Sequence, residues 1–240
     1  MLKRAPNLTE QTRLYIKERI LKQAFRNGRI PSEMELARAL GVSRTTVRDA
    51  LSKLENEGVI VRRQGAGTFV NPAGLQVRTR LDEVWSYEEV LRAHGYTPAV
   101  EVLCLETRPA GEEAARRLGL TPDEPVLLME KRFLEGDTPA ILTRNILPAH
   151  LLHCPPDETH VRQPIYDLLA TCCHRELSYY LTELVPARAD ETLAMHLDIS
   201  VGTPMLAFDE IGYDAQHQPL IWARSWFRDD RIRFRLIRRR

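Results

Sequence analysis

Two periodicities divide the chain. Up to about residue 58 apolar positions recur at helical spacing, whereas beyond about residue 98 they cluster in short runs of the strand type. In the first stretch, LTEQTRLYIKERILKQAF (8–25) places Leu14, Ile16, Ile20, Leu21 and Phe25 near one helical face, with Thr9 as N-cap and Asn27-Gly28 as the stop. Ser32 caps a second helix through Leu40; Glu35 completes a capping box and Gly41 ends the element. Ser43 caps a third, in which Val47, Ala50, Leu51 and Leu54 form an apolar stripe, Arg44, Thr45, Arg48 and Ser52 take the opposite face, and Gly58 stops the helix. Two helices joined by Gly41-Val42-Ser43 make a helix-turn-helix, and VIVRRQGAGTFV then predicts two strands meeting at Gly65-Ala66-Gly67.

Residues 71–80, NPAGLQVRTR, have the composition of a linker. Beyond them PAVEVLCLETR, PVLLMEKRF, AILTRNIL, LSYYLTELVPAR, PMLAFDEIGY and PLIWARSWF read as strands, alternating with helical stretches at GEEAARRLGL, PIYDLLATCC and ADETLAMHLDI. Short polar turns favour antiparallel hairpins, so the expected class is α+β: an N-terminal winged helix-turn-helix (1–72), a linker (73–80), and a mainly antiparallel sheet domain with helices (81–240). A weak repeat runs through the second domain. Pro109-Ala110 leads through a helix to Pro125 and on to Pro139 and Arg144, and Pro186-Ala187 leads likewise to Pro204, Pro219 and Arg224. This predicts a duplicated helix-hairpin unit with a ligand cleft between its halves.

Composition narrows the class. The 240 residues suffice for two cores, no apolar run is long enough to span a bilayer, and the basic start lacks the apolar stretch of a secretory signal, so a cytoplasmic protein is expected. Net charge is +1, but residues 1–72 carry 14 Lys and Arg against 7 Asp and Glu, and the remainder 20 against 26. The first third therefore suits a polyanion. The cysteines, Cys104, Cys154, Cys172 and Cys173, form no CxxC pair and are expected as thiols. His150, His153 and His174 lie near them at no familiar zinc spacing, so no metal and no cofactor is expected. The tail RIRFRLIRRR alternates Ile232, Phe234 and Leu236 with arginine, as an edge strand does.

Arginines and small hydroxyls at the start of the third helix fit the DNA major groove, since guanidinium pairs bidentately with guanine or phosphate while Thr45 and Thr46 allow close approach. The stretch IPSEMELARALGVSRTTVRDALSKLENEGVIVRRQGAGTFV resembles the winged helix-turn-helix of GntR-type transcription regulators. That resemblance implies that Arg44, Thr45, Thr46 and Arg48, headed by Ser43, contact a double-stranded operator. It places Gln64, Gly65 and Gly67 at the wing tip near the minor groove, and gives Glu33 a bracing role.

PLIWARSWFRDDRIRFR and QPIYDLL resemble the effector-sensing UTRA domain of the HutC branch, a chorismate-lyase-like fold, over roughly residues 80–237. The resemblance implies a small anionic effector held by Arg132 and Arg144, by the backbone at Pro164 and Ile165 with Tyr166 nearby, and by Arg224 or Phe227, with Tyr87 closing one side. Glu130 stands where the family often has arginine and Pro164 where a hydroxyl is common, which favours a smaller carboxylate or an amphoteric ligand meeting Glu130 and Arg132. The plainer alternative is that Glu130, Arg132, Asp209 and Glu210 pair across the sheet. Three functions stay open. The leading one is a homodimeric regulator, a repressor, that binds two-fold-related half-sites and is controlled by an effector. The others are a lyase acting on an aromatic carboxylate and a ligand-independent architectural DNA-binding protein.

Overall fold

The computed structural model describes residues 7–77 and 79–237; Arg78 of the expected linker and residues 238–240 of the expected tail strand lie outside them. Two compact units make up the chain: Met1–Arg80 with Phe234–Arg240, and Leu81–Arg233.

The first unit begins with α1 (Leu8–Leu21). Its cap is Asn7 rather than the expected Thr9, the Asn7 Oδ1 accepting from Glu10 N at 2.9 Å. It also stops four residues short of Phe25, because Gln23 and Asn27 adopt left-handed backbone conformations that an α-helix cannot continue through. Next comes β1 (Arg29–Ile30), a two-residue strand too short to leave a sequence pattern. α2 (Glu33–Leu40) starts on the Ser32/Glu35 capping box and ends at Gly41, whose φ of 66° suits glycine; α3 (Arg44–Asn56) starts on Ser43. Val47, Leu51 and Leu54 of α3 join Ile16, Ile20, Leu36 and Ile60 in one core. Each fully buried leucine there contributes roughly 1.5–3 kcal/mol.

The strands β2 (Ile60–Arg63) and β3 (Gly67–Val70) form the wing, and β1 pairs with β3 to give a three-stranded sheet of order β1-β3-β2. Residues 71–77 are more than a linker. Asn71 Nδ2 donates to Gly58 O at 2.8 Å, Leu75 packs on the core, and a Cβ on Gly74 would sit 2.0 Å from Gly58 O. Only glycine allows the chain to return this closely.

The second unit comprises α4 (Tyr87–Ala93), β4 (Pro98–Pro109), α5 (Gly111–Leu118), β5 (Pro125–Glu135), β6 (Thr138–Pro148), α6 (Glu158–Arg162), α7 (Ile165–Cys172), β7 (Tyr179–Arg188), α8 (Glu191–Leu197), β8 (Pro204–Tyr213) and β9 (Pro219–Phe227). All six strands form one antiparallel sheet of order β4-β5-β6-β9-β8-β7. The repeat read from the prolines is its symmetry: β4-α5-β5-β6 and β7-α8-β8-β9 are equivalent, and they join at the β6–β9 pair. The halves thus meet edge to edge in a continuous sheet, so the expected cleft is not a gap between them but a cavity over one face of the joined sheet, floored by strands of both halves.

Helices cover both faces. α5 and α8 pack on Leu128, Leu142, Ile146 and Trp222, while α6 and α7 pack on Leu127, Met129, Leu147 and Ile221. Two buried faces explain why PVLLMEKRF shows no clean apolar/polar alternation. Two expectations need correction. Residues 228–237 form no strand, and Ile232 is buried rather than alternating along an edge. Cys154 and Cys172 are joined in a disulfide, with Cα atoms 5.2 Å apart, and are not free thiols; Cys104 and Cys173 are free. Folding brings them together: His153 N donates to Cys172 O at 2.8 Å, fixing the segment before α6 against the end of α7.

Candidate nucleic-acid interface and ligand cavity

The α3 stripe Val47, Ala50, Leu51 and Leu54 points into the core, which forces Arg44, Thr45 and Arg48 outward, all three exposed. Ser43 Oγ accepts from Thr46 N at 3.0 Å and lies 2.8 Å from Thr46 Oγ1, so Ser43 acts as a cap and Thr46 is partly occupied by it. Arg48 Nε and Nη2 both donate to Glu33 Oε2 at 3.2 Å. Glu33 therefore holds the guanidinium in place from the preceding helix.

Arg62 is anchored: its Nη2 donates to Arg48 O and Ser52 Oγ, and it pairs with Glu55. At the wing, Gly65 (φ 73°) and Gly67 (φ 114°) occupy backbone conformations that favour glycine, with exposed Gln64 between the strands. The sequence reading omitted Arg63, whose guanidinium lies 5.0 Å over the Phe69 ring beside the wing tip.

On the sheet face carrying α6 and α7 lies a cavity of about 680 Å³. The segment Leu81–Glu88 and the start of α7 (Pro164, Ile165, Tyr166) roof it, and Lys131, Phe133, Thr143, Asn145, Thr182, Phe208 and Glu210 form its floor. Lys131 is 4% exposed, and its Nζ donates to Gln163 O at 3.1 Å, beside the first turn of α7. Burial lowers its pKa to about 8, partly opposed by Glu88.

Toward the other end, Glu210 accepts from Thr182 Oγ1 at 2.6 Å and from Tyr87 Oη at 3.4 Å; Tyr87 Oη also donates to Ser225 Oγ at 2.5 Å. Burial raises the Glu210 carboxyl above its usual range, against the pull of those hydroxyls, and raises the Tyr87 phenol as well. Tyr87 stands edge-on to Phe133 and Phe227, at 5.3 and 5.7 Å between ring centroids, so ring contacts hold this part of the roof against the floor.

Of the residues expected to hold an effector, Tyr87, Ile165 and Tyr166 line this cavity, and Phe227 packs beneath Tyr87. Glu130, Arg132, Arg144 and Arg224 do not reach it. They sit at alternate strand positions, so the pleat turns them to the α5/α8 face. There Arg132 Nε donates to Glu101 at 2.8 Å, Arg144 Nε to Glu130 at 2.6 Å, and Arg224 Nε to Asp209 at 3.2 Å. Pairing across the sheet thus holds for Glu130, Arg132 and Asp209, but Glu210 faces the cavity.

The sequence reading missed Lys131, one residue from two residues it named, together with Trp85 and Thr182. It also missed α4, although Ser86 and Glu89 spell the S-x-x-E signature of the capping box seen there.

A winged helix-turn-helix joined to a cavity-bearing sheet domain defines a ligand-responsive DNA-binding protein. Residues 8–70 match the model of the gntR family of bacterial regulatory proteins, and residues 93–233 match the UTRA domain. The chain belongs to the GntR family, with a UTRA effector domain: it is a DNA-binding transcriptional regulator modulated by a small molecule, and not an enzyme.

It is 32% identical over 91% of its length, and 81% of the relative's, to the HTH-type transcriptional regulator Rv0792c of Mycobacterium tuberculosis. It is 30% identical over 95% of its length, and 96% of the relative's, to the HTH-type transcriptional repressor NagR of Bacillus subtilis. Among solved structures, the possible transcriptional regulator YydK of B. subtilis superposes with a TM-score of 0.76 at 17% identity, covering 98% of this chain and 100% of that one. PhnF from Mycobacterium smegmatis gives 0.60 at 25%, covering 95% and 99%. No helix among the described residues is long and apolar enough to cross a membrane.

Proposed function

We propose that the protein is a cytoplasmic, homodimeric repressor whose hold on a two-fold-related operator is set by a small organic anion bound beside Lys131. The observation that carries this is the buried Lys131 ammonium, which meets a carbonyl oxygen but, among the described residues, no carboxylate within hydrogen-bond reach, and faces a cavity of ligand size. An anion there gains the lysine and the backbone N–H groups of Ile165 and Tyr166, which precede the first intrahelical bonds of α7, those from Asp167 N and Leu168 N to Pro164 O.

Across the sheet, three strand spacings or roughly 14 Å between backbones separate Lys131 on β5 from Glu210 on β8. Glu210 suits a hydrogen-bond donor on the ligand, and the rings of Trp85, Tyr87, Phe133 and Phe208 suit a flat apolar body between the two polar ends. Arg44, Thr45, Thr46 and Arg48, with Gln64, Gly65 and Gly67 of the wing, read the operator.

Dimerisation is supported by β7, an edge strand on which Leu181, Leu184 and Val185 are 61%, 50% and 38% exposed. Selecting operators from random duplex oligonucleotides with the full chain tests the DNA half of this reading. Inverted half-sites are expected; a single unrepeated site would contradict the dimeric mode. A thermal-shift screen of carboxylates and phosphates, repeated with Lys131→Met, tests the ligand half: stabilisation by a member of the panel is expected in the parent protein and not in the variant.

A further inference from the structure

Away from the cavity, at the opposite end of α7, three soft donors converge. The Sγ atoms of Cys154 and Cys172 and a ring nitrogen of His160 all lie within 4.8 Å of one another. Three different pieces of chain supply them: the loop before α6, the last residue of α7, and α6 itself. His160 Nδ1 is 2.8 Å from Asp157 Oδ1, which also caps α6, so the imidazole is oriented by a carboxylate and Nε2 is left as its donor. A histidine held this way by a carboxylate is the outer-shell arrangement that metal-ligating imidazoles use.

We propose that in its reduced state the protein binds one zinc-class ion at Cys154, Cys172 and His160, with a water completing a tetrahedron. Two thiolates and an imidazole match the ligand preference of Zn²⁺ and exclude Mg²⁺ and Ca²⁺, which take oxygen donors. The disulfide is the oxidised, metal-free form of the same site. A dithiol reductant converts it to two thiols and is itself oxidised to a cyclic disulfide; Zn²⁺ then displaces the two thiol protons to solvent. The sulfurs separate to about 3.8 Å, the spacing of two ligands 2.3 Å from a tetrahedral ion.

Work on chromosomal DNA places the chain among cellular reductants, where the thiol form is favoured. The neighbouring Cys173 takes no part: it packs in the apolar core with Val161, Leu168 and Leu169 and is not among the converging donors. α7 links this site to the cavity, since its first residues, Ile165 and Tyr166, form the cavity roof and its last is Cys172.

Titrating the reduced full-length protein with Co²⁺ under nitrogen, followed by Zn²⁺ displacement, tests this. One Co²⁺ per chain should bind, with the near-ultraviolet thiolate-to-cobalt band and the visible bands of a tetrahedral ion, all lost on adding Zn²⁺. The unreduced wild type, folded with its disulfide intact, should give no band. Cys154→Ser should abolish the thiolate band, His160→Ala should weaken Co²⁺ binding at least tenfold, and Cys173→Ser and Cys104→Ser should leave it unchanged. Absence of the band in reduced wild type, or an undiminished band in Cys154→Ser, overturns the proposal; undiminished affinity in His160→Ala removes the histidine from it.

Discussion

Arg144 of β6 and Arg224 of β9 are register partners across the axis that relates the two halves of the sheet. Each is neutralised one strand further out, Arg144 by Glu130 on β5 and Arg224 by Asp209 on β8, so a symmetric row of acid, base, base and acid crosses the four central strands. The repeated arginine is thus a structural feature of the duplicated unit, placed on the helix-covered face and turned away from the cavity.

Asp209 is the most committed member of that row, since it also accepts from Trp222 Nε1 at 2.8 Å and Arg117 Nη2 at 3.1 Å. Asp209→Ala should destabilise the second unit by about 2–3 kcal/mol. That is less than breaking a fully buried pair, because both arginines keep partial solvent contact. Urea denaturation of the variant checks it, and DNA binding at temperatures well below unfolding should persist.

Lys131 gives a pH signature. Its pKa falls from 10.5 unfolded to about 8 folded, so the folded state binds fewer protons between those values and this group makes stability rise with pH across the window. Below pH 8 its charge costs the folded state roughly 3 kcal/mol. Lys131→Met should therefore be the more stable protein at pH 7 without ligand, by up to about that amount. The gap should close as pH climbs from 8 toward 10.5, as urea midpoints at several pH values would show. An anion beside Lys131 keeps it protonated, so ligand binding should take up protons above pH 8, which calorimetry in buffers of different ionisation enthalpy measures.

On the DNA face, Arg48→Ala should cost about 1–3 kcal/mol at a selected operator if the guanidinium leaves Glu33 to read a base edge. Glu33→Gln removes an exposed ion pair worth under about 1 kcal/mol and should barely change folding stability. It should, however, raise non-specific DNA affinity by removing a negative charge beside the reading helix. Salt-dependent anisotropy titrations with operator and scrambled duplexes separate the two effects.

Gly74→Ala tests the return of residues 71–77 onto the first unit. The added Cβ would meet Gly58 O at 2.0 Å, a backbone contact that no rotamer change relieves. A loss of at least about 2 kcal/mol in the melting of the first unit is expected, whereas Gly95→Ala, with open space around its Cβ, pays only for its positive φ.

The reading helix was legible because caps, stripe and stop coincide: Ser32 with Glu35, Ser43, Gly41 and Val47 through Leu54 leave little freedom. The duplication was legible through its prolines, which recur at equivalent strand starts. Strand parity was not. A sheet covered on both faces shows no apolar/polar alternation, so nothing in MEKRF says which way Lys131 points, and a choice one residue away selected Glu130 and Arg132, on the side of the pleat away from the cavity. Short elements also escaped: β1 holds two residues, and the Asn71–Gly58 contact depends on backbone meeting backbone.

The most direct test of ligand control through this cavity is the operator affinity of the full-length protein with and without a stabilising anion, measured in parallel on Lys131→Met. A change of tenfold or more in the wild type that vanishes in Lys131→Met, while the ligand-free affinities of the two proteins agree, is the predicted result. An equal change in both proteins would contradict it.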